Sequence, residues 1–199
     1  RLLFTFATLL ALLPYVGLAA TTTWSFEWNT SKKDGGQGFY NFGSSKVEKD
    51  VYTTELNGVQ WNISSEGTYI YAYTSTMGQY IGSASEVPSS STLWTTGFAG
   101  KIKDVKVTAR VKDDKKAGDV AVAVNGKDYL CDGNAKASLT GTLAEYAFTI
   151  DDADMQEGKL EIKLNQTSEE KGPLYIYKVV VDYEVATSGV PAPVFTPAA

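Results

Sequence analysis

The chain has 199 residues, 43% of them hydrophobic and 12% aromatic, with 18 Lys and Arg against 23 Asp and Glu for a formal net charge of -5. That size predicts one globular core of ordinary dimensions, and basic residues scattered without a stripe argue against a nucleic-acid partner. There is no His, which removes Ser-His-Asp and Cys-His catalysis, the usual general base near neutrality and the commonest zinc ligand.

Cysteine usage narrows the field further. Cys131 is the single Cys, so no intramolecular disulfide and no Cys-rich metal site are available. It reads as a small buried hydrophobe on a strand, with no His to activate it as a nucleophile.

Arg1 precedes an almost wholly apolar run from Leu2 to Leu13, then Pro14, with the small residues Gly17 and Ala19 at the -3 and -1 positions. A charged start, an apolar segment and a small-residue cleavage site form a secretory signal peptide, here residues 1–20. The apolar run is shorter than the roughly 20 residues that cross a bilayer, so no membrane span is expected after cleavage. The predicted location is secreted or at the cell surface. No Met precedes Arg1, so the chain is expected to be clipped at its front.

The module is assigned to residues 21–186. Trp24, Phe26 and Trp28 alternate with Ser25, Glu27 and Asn29, the period of a first strand with an aromatic face. Ser31 to Ser45, with Gly35, Gly36, Gly38 and Gly43, reads as a loop; it has neither the helix start nor the Lys of a phosphate cradle. Asn57-Gly58 between Val51–Leu56 and Val59–Ile63 predicts a hairpin with a type I′ turn. Thr68 to Thr74 places Tyr69, Tyr71 and Tyr73 on one face of the next strand. The stretch Thr92 to Phe98 carries Leu93, Trp94 and Phe98, and Gly97 and Gly100 allow a bulge and a reversal. From Asp104, Val105, Val107, Ala109 and Val111 alternate with Lys106, Thr108, Arg110 and Lys112. Val120, Val122 and Val124 run into a second hairpin turn at Asn125-Gly126. The sets Tyr146/Phe148/Ile150 and Leu160/Ile162/Leu164 follow. The last strand, Leu174 to Val185, is read with Tyr175, Tyr177, Val179, Val181 and Tyr183 on one side and Leu174, Ile176 and Val180 on the other.

About eight to ten short strands without a sustained helical period predict an all-β fold, an antiparallel two-sheet β-sandwich or barrel. Periodicity leaves immunoglobulin-like and jelly-roll connectivity open. The order Asn57-Gly58-Val59-Gln60-Trp61, Tyr80-Ile81-Gly82-Ser83, Phe98-Ala99-Gly100-Lys101-Ile102-Lys103-Asp104-Val105-Lys106-Val107, the Val-Asn-Gly-Lys hairpin and Ile176-Tyr177-Lys178-Val179-Val180-Val181-Asp182-Tyr183 resembles a module of secreted multidomain proteins from gut and oral anaerobic bacteria. That module is similar to the galactose-binding-like jelly-roll sandwiches, and the likeness covers most of Val51 to Glu184. It implies jelly-roll connectivity and a role as a carbohydrate-binding module or as a spacer beside a catalytic domain. It carries no set of functional residues. Val190-Pro191-Ala192-Pro193-Val194-Phe195-Thr196-Pro197, within residues 187–199, is a Pro-rich semi-rigid linker. It resembles the opening of a chitobiase C-terminal-like repeat and implies a downstream domain of the same polypeptide.

The best candidate ligand site is aromatic. Sugars stack their C–H faces on Trp and Tyr while amides and charged groups take their hydroxyls, and Trp61, Asn62, Tyr69, Tyr71, Gln79, Tyr80 and Trp94 could supply such a platform. The alternative for each ring is a place in the core. Asp151, Asp152 and Asp154 offer oxygen ligands for a structural Ca²⁺ without the spacing of an EF-hand loop; otherwise no cofactor is expected. The sequons at Asn29, Asn62 and Asn165 are glycan acceptors only in a eukaryotic secretory route. The sequence therefore predicts a non-catalytic extracellular carbohydrate-binding or attachment module, with a spacer as the alternative and a glycan-active enzyme fragment third.

Overall fold

The computed structural model describes residues 19–28, 51–66, 70–71, 78–81, 89–167 and 172–186. In chain order the strands are β1 (Ala19–Glu27), β2 (Tyr52–Leu56), β3 (Val59–Glu66), β4 (Ile70–Tyr71), β5 (Gln79–Ile81), β6 (Ser89–Thr95) and β7 (Lys101–Val111). They continue with β8 (Gly118–Val124), β9 (Lys127–Tyr129), β10 (Lys136–Ser138), β11 (Ala144–Thr149), β12 (Leu160–Gln166) and β13 (Leu174–Ala186). Both predicted hairpin turns form. Asn57 and Gly58 take φ of 45° and 77°, and Asn125 and Gly126 take 49° and 80°, the left-handed pair that a type I′ turn requires.

The strands pair antiparallel into two sheets. The first runs β11-β7-β13-β5-β4, and the second runs β10-β8-β12-β6-β3-β2 with β9 also against β8. Strand β13 is the spine of the first sheet: β7 lies along one edge, and β5 and β1 divide the other, β5 at Leu174–Ile176 and β1 from Lys178 onward. From β5 the chain crosses between sheets repeatedly, to β6, back to β7, over to β8, β9 and β10, and then alternately through β11, β12 and β13. This is jelly-roll winding, and the fold is the antiparallel two-sheet β-sandwich that the alternation predicted. Among the described residues no helix is long and apolar enough to cross a membrane.

Alternation decides which side chains enter the gap between the sheets. Leu160, Ile162 and Leu164 of β12, Val120, Val122 and Val124 of β8, and Val105, Val107, Ala109 and Val111 of β7 are all buried, as period-2 strands over a single core require. Cys131 is buried as well, and its thiol is pushed up by burial and by Asp132; it behaves as the small hydrophobe the sequence predicted. An aromatic cluster closes one end of the core. Trp24 of β1 stacks on Trp61 of β3 with centroids 5.5 Å apart, and Phe98 meets Trp24 edge-on at 5.6 Å. Trp24 Nε1 donates to the Asn57 carbonyl at 3.0 Å, and Asn57 Nδ2 donates back to the Ser25 carbonyl at 3.0 Å. The turn that shapes the first hairpin thus also fastens β1 across the sandwich. Gly100 is required by close approach: a Cβ there would lie 2.2 Å from the Glu184 carbonyl oxygen.

β1 runs from Ala19, with Ala19 and Ala20 paired to Ala186 and Val185. Two expectations change. The faces of β13 are not those of a simple alternation. A bulge between Ile176 and Lys178 inserts one residue and inverts the parity, so Leu174, Ile176, Val179 and Val181 are all buried in the core. β7 starts at Lys101 rather than Asp104 because a second irregularity, between Asp182 and Tyr183 of β13, lets Ile102 and Val105 both face inward. The loop assigned to Ser31–Ser45, and Tyr73, lie outside the described residues.

That second irregularity sets two carboxylates side by side on the outer face of the first sheet. Asp104 is the register partner of Asp182. Lys106 Nζ stands 3.9 Å from Asp104 and 4.0 Å from Asp182, and Thr23 Oγ1 donates to Asp182. Burial first, and then the Asp182 charge, raise the Asp104 carboxyl above its ordinary value of 3.8, against the opposing pull of Lys106 and Lys103.

Two predictions follow from the core and from this pair. Trp61→Ala should cost about 3–5 kcal/mol in denaturant unfolding. Trp61→Phe, which keeps an aromatic ring in the core and gives up part of the indole together with an Nε1 that has no hydrogen-bond partner among the described residues, should cost clearly less. A raised folded-state pKa means that the native state binds the proton more tightly than the unfolded chain, so this contribution to stability is present at acid pH and lost as pH rises through the raised value. Asp104→Asn should therefore raise the melting temperature at neutral pH, and the gain should fade as the pH is lowered to about 4; an unchanged difference across a pH series would contradict the pairing.

Candidate functional site

The outward residues of the second sheet are those its alternation leaves over. In β6, Ser91, Leu93 and Thr95 are buried and Trp94 is half-buried facing out; in β12, Glu161, Lys163 and Asn165 point out between Leu160, Ile162 and Leu164. Cross-strand pairing turns these into rows. Thr53, Asn62, Trp94, Glu161 and Ala123 are successive register partners from β2 to β8. The next row is Ser64, Thr92, Lys163, Ala121 and Lys136, and a third joins Glu66, Ser90, Asn165 and Asp119. About 13 Å of strand separates the first row from the third. A depression of about 580 Å³ lined by Glu66, Ser90, Asp119, Lys136 and Asn165 ends the face.

The Trp94 row is held by short polar contacts. Lys159 Nζ lies 5.2 Å from the Trp94 ring centroid and 2.6 Å from Glu161 Oε1, so a cation–π contact and an ion pair share one ammonium. Thr53 Oγ1 donates to Asn62 Oδ1 at 2.7 Å, and Asn62 Nδ2 donates to the Trp94 carbonyl at 3.5 Å. These bonds orient the Asn62 amide beside the ring. The result is one outward indole among hydroxyl, amide and charged side chains.

Of the seven residues predicted to form one platform, the six that are described are divided between the two sheets. Trp94 and Asn62 stand together on the outer face of the second sheet, as register partners. Trp61 is 1% exposed and belongs to the core; it alternates with Asn62 and so faces the other way, offering no surface to a ligand. Gln79 is fully buried on β5 of the first sheet. Tyr80 is half-buried on the same strand, and its ring meets Tyr175 edge-on at 5.7 Å and 89°. Tyr71 is placed opposite Tyr80 in register on β4, and Tyr69 lies outside the described residues. The sequence reading missed Thr92, Lys159, Glu161 and Lys163. The alternation of β12 marks Glu161 and Lys163 as outward, but nothing local announces that β12 lies beside β6.

The acidic candidates do not converge. Asp152 and Asp154 begin and end a single 3₁₀ turn, whose Asp154 N–H donates to the Asp151 carbonyl. Asp154 is ion-paired to Lys127 at 2.7 Å, and Asp152 lies 4.0 Å from Lys103. Asp151 and Asp154 do line a cavity of about 580 Å³ with Asp128 and Asp132. Among the described residues, however, no three His, Cys, Asp or Glu side chains come together as a metal site needs.

No protein-family model and no curated protein matches the chain. Solved structures similar to it include the xylan-binding module CBM15, at 13% identity and a TM-score of 0.42 over 68% of this chain and 97% of that one. A family 29 carbohydrate binding module complexed with mannohexaose is similar at 10% identity and a TM-score of 0.43, over 70% and 89% of the two chains. Another family 29 module, from Piromyces equi, is similar at 12% identity and a TM-score of 0.39, over 86% and 96%. Similarity of this degree assigns this chain neither a ligand nor a site.

Because lysines already engage Asp152 and Asp154, adding about 1 mM CaCl₂ should move the melting temperature by less than about 1 °C, where a well-formed structural Ca²⁺ site would raise it by several degrees. A larger upward shift, abolished by Asp154→Asn, would instead establish a cation there.

Proposed function

We propose that the chain is a non-catalytic, extracellular carbohydrate-binding or attachment module of a larger secreted protein, and that the outer face of its second sheet is the binding surface. One observation carries this reading: Trp94 faces outward between the Asn62 amide and the Glu161 carboxylate, with the Thr53 hydroxyl next along the row. A pyranose has an apolar C–H face and a rim of hydroxyls, so it needs a ring to stack on and polar groups beside that ring. Asn62, Thr92 and Glu161 supply them within one strand of Trp94. The carboxylate nearest the ring, Glu161, is neutralised by Lys159 at 2.6 Å; that supports a binding role for it over general acid catalysis.

The second reading, a spacer that positions a neighbouring domain, draws on a different observation. Trp61 lies in the core, and Tyr80 and Tyr175 meet at right angles, so these three rings offer a sugar no shared flat surface. A polysaccharide and glycan screen of the full chain separates the two. Specific binding that Trp94→Ala weakens about tenfold or more, the loss of one stacking contact, at unchanged melting temperature supports the module. A folded chain that binds no glycan, with or without Ca²⁺, supports the spacer.

A further inference from the structure

Building on the Trp94 face as a glycan surface, we infer that its preferred ligands carry uronic acid residues, with Lys163 binding the sugar carboxylate. Three lysines border the outer side of the second sheet, and two have an acidic partner. Lys159 is 2.6 Å from Glu161, and Lys136 is 3.9 Å from Asp119. Lys163 is exposed and, among the described residues, makes no hydrogen bond or ion pair. It stands in the middle of the face, between Thr92 of β6 and Ala121 of β8. The small side chains of Ala121 and Ala123 leave open the surface beside it.

The position relative to Trp94 gives this cation a use. Trp94 pairs with Glu161, two residues before Lys163 on β12, so Trp94 and Lys163 are diagonal neighbours about 7–8 Å apart at the backbone. A uronic acid bears its carboxylate on the carbon next to the ring oxygen, one bond beyond the ring that would stack on the indole. The long, flexible Lys side chain covers that offset, and the Thr92 hydroxyl lies directly beside it. The acidic groups nearest to Lys163 are already engaged: Glu161 by Lys159, and Asp119 by Lys136 and by the Asn165 amide. Glu66 lies one row away and two strands across. The local balance therefore leaves one positive charge without a counter-charge, beside a stacking ring. With a formal net charge of -5 the chain has no general attraction for a polyanion, so binding of one would report a local cation.

The test measures affinity of the full chain, by affinity electrophoresis and calorimetry, for polygalacturonate, alginate and glucuronoxylan. Methyl-esterified polygalacturonate serves as a neutral control with the same ring, and a sulfated glycan as a control for charge alone. At least one uronate should bind, esterification should weaken binding about tenfold, and Lys163→Gln should produce the same loss with an unchanged melting temperature. Lys163→Arg should retain binding, and salt raised to about 1 M, where the screening length falls to about 3 Å, should weaken it. Trp94-dependent binding of neutral glycans with no response to Lys163→Gln or to esterification would overturn the uronate inference and leave the glycan reading intact. Sulfated-glycan binding without uronate binding would also overturn it. Uronate binding that ignores Trp94→Ala would overturn the shared site, and a folded chain that binds no glycan of any charge would remove the reading on which it rests.

Discussion

The contact on which the rest of the molecule depends is the stack of Trp24 on Trp61. One ring comes from each sheet, the centroids are 5.5 Å apart, and Phe98 seals the pair from the connection between β6 and β7. Large rings bury large apolar areas and tolerate few geometries, so this cluster sets how the sheets approach at that end. Asn57 adds a polar clasp to it, accepting from Trp24 through its carbonyl and donating to β1 through its amide. β1 has β13 as its only strand partner among the described residues, and the clasp gives it a second attachment, to the opposite sheet.

That core takes up indole surface that a ligand site could have used. Of the four Trp, Trp24, Trp28 and Trp61 are buried, and Trp94 alone faces out from its sheet. A single indole fixes where a sugar ring would rest but carries little specificity, because every pyranose has an apolar face. On the proposed glycan reading, discrimination would fall to the polar rows on either side of it. There the arrangement of charge matters more than its amount: lysine and acidic groups neutralise one another along the edges, while the centre of the face keeps an uncompensated ammonium. The first sheet solves the opposite problem, since its paired carboxylates Asp104 and Asp182 face each other and share the nearby Lys106.

Period-2 alternation together with Asn-Gly turns made much of the fold readable from the chain. Val105 to Val111, Val120 to Val124 and Leu160 to Leu164 fall on the buried side as expected, because a strand over a core offers its side chains only two directions. The reading failed where parity broke. Tyr177 sits in a bulge of β13, and one inserted residue sends everything after it to the other face. For the candidate site, Trp94 and Asn62 were identified and do lie together, but Trp61, Gln79 and Tyr80 were grouped with them on sequence proximity and type. Trp61 and Asn62 are adjacent in the chain and face opposite ways; Gln79 and Tyr80 belong to the other sheet.

By itself the sequence determined the fold class, the two hairpin turns and the inward or outward sense of each regular strand, because these follow from local sterics and the spacing of apolar residues. The tertiary structure alone decided which strands are neighbours, and with that which polar residues share a surface. Trp94 and Lys163 are 69 positions apart in the chain (163 less 94), and they come together because β12 pairs with β6 from Leu160 to Gln166. Hydrogen bonds between backbones are indifferent to side-chain identity, so no local pattern announces that pairing; it is set by how the two apolar faces close over one core.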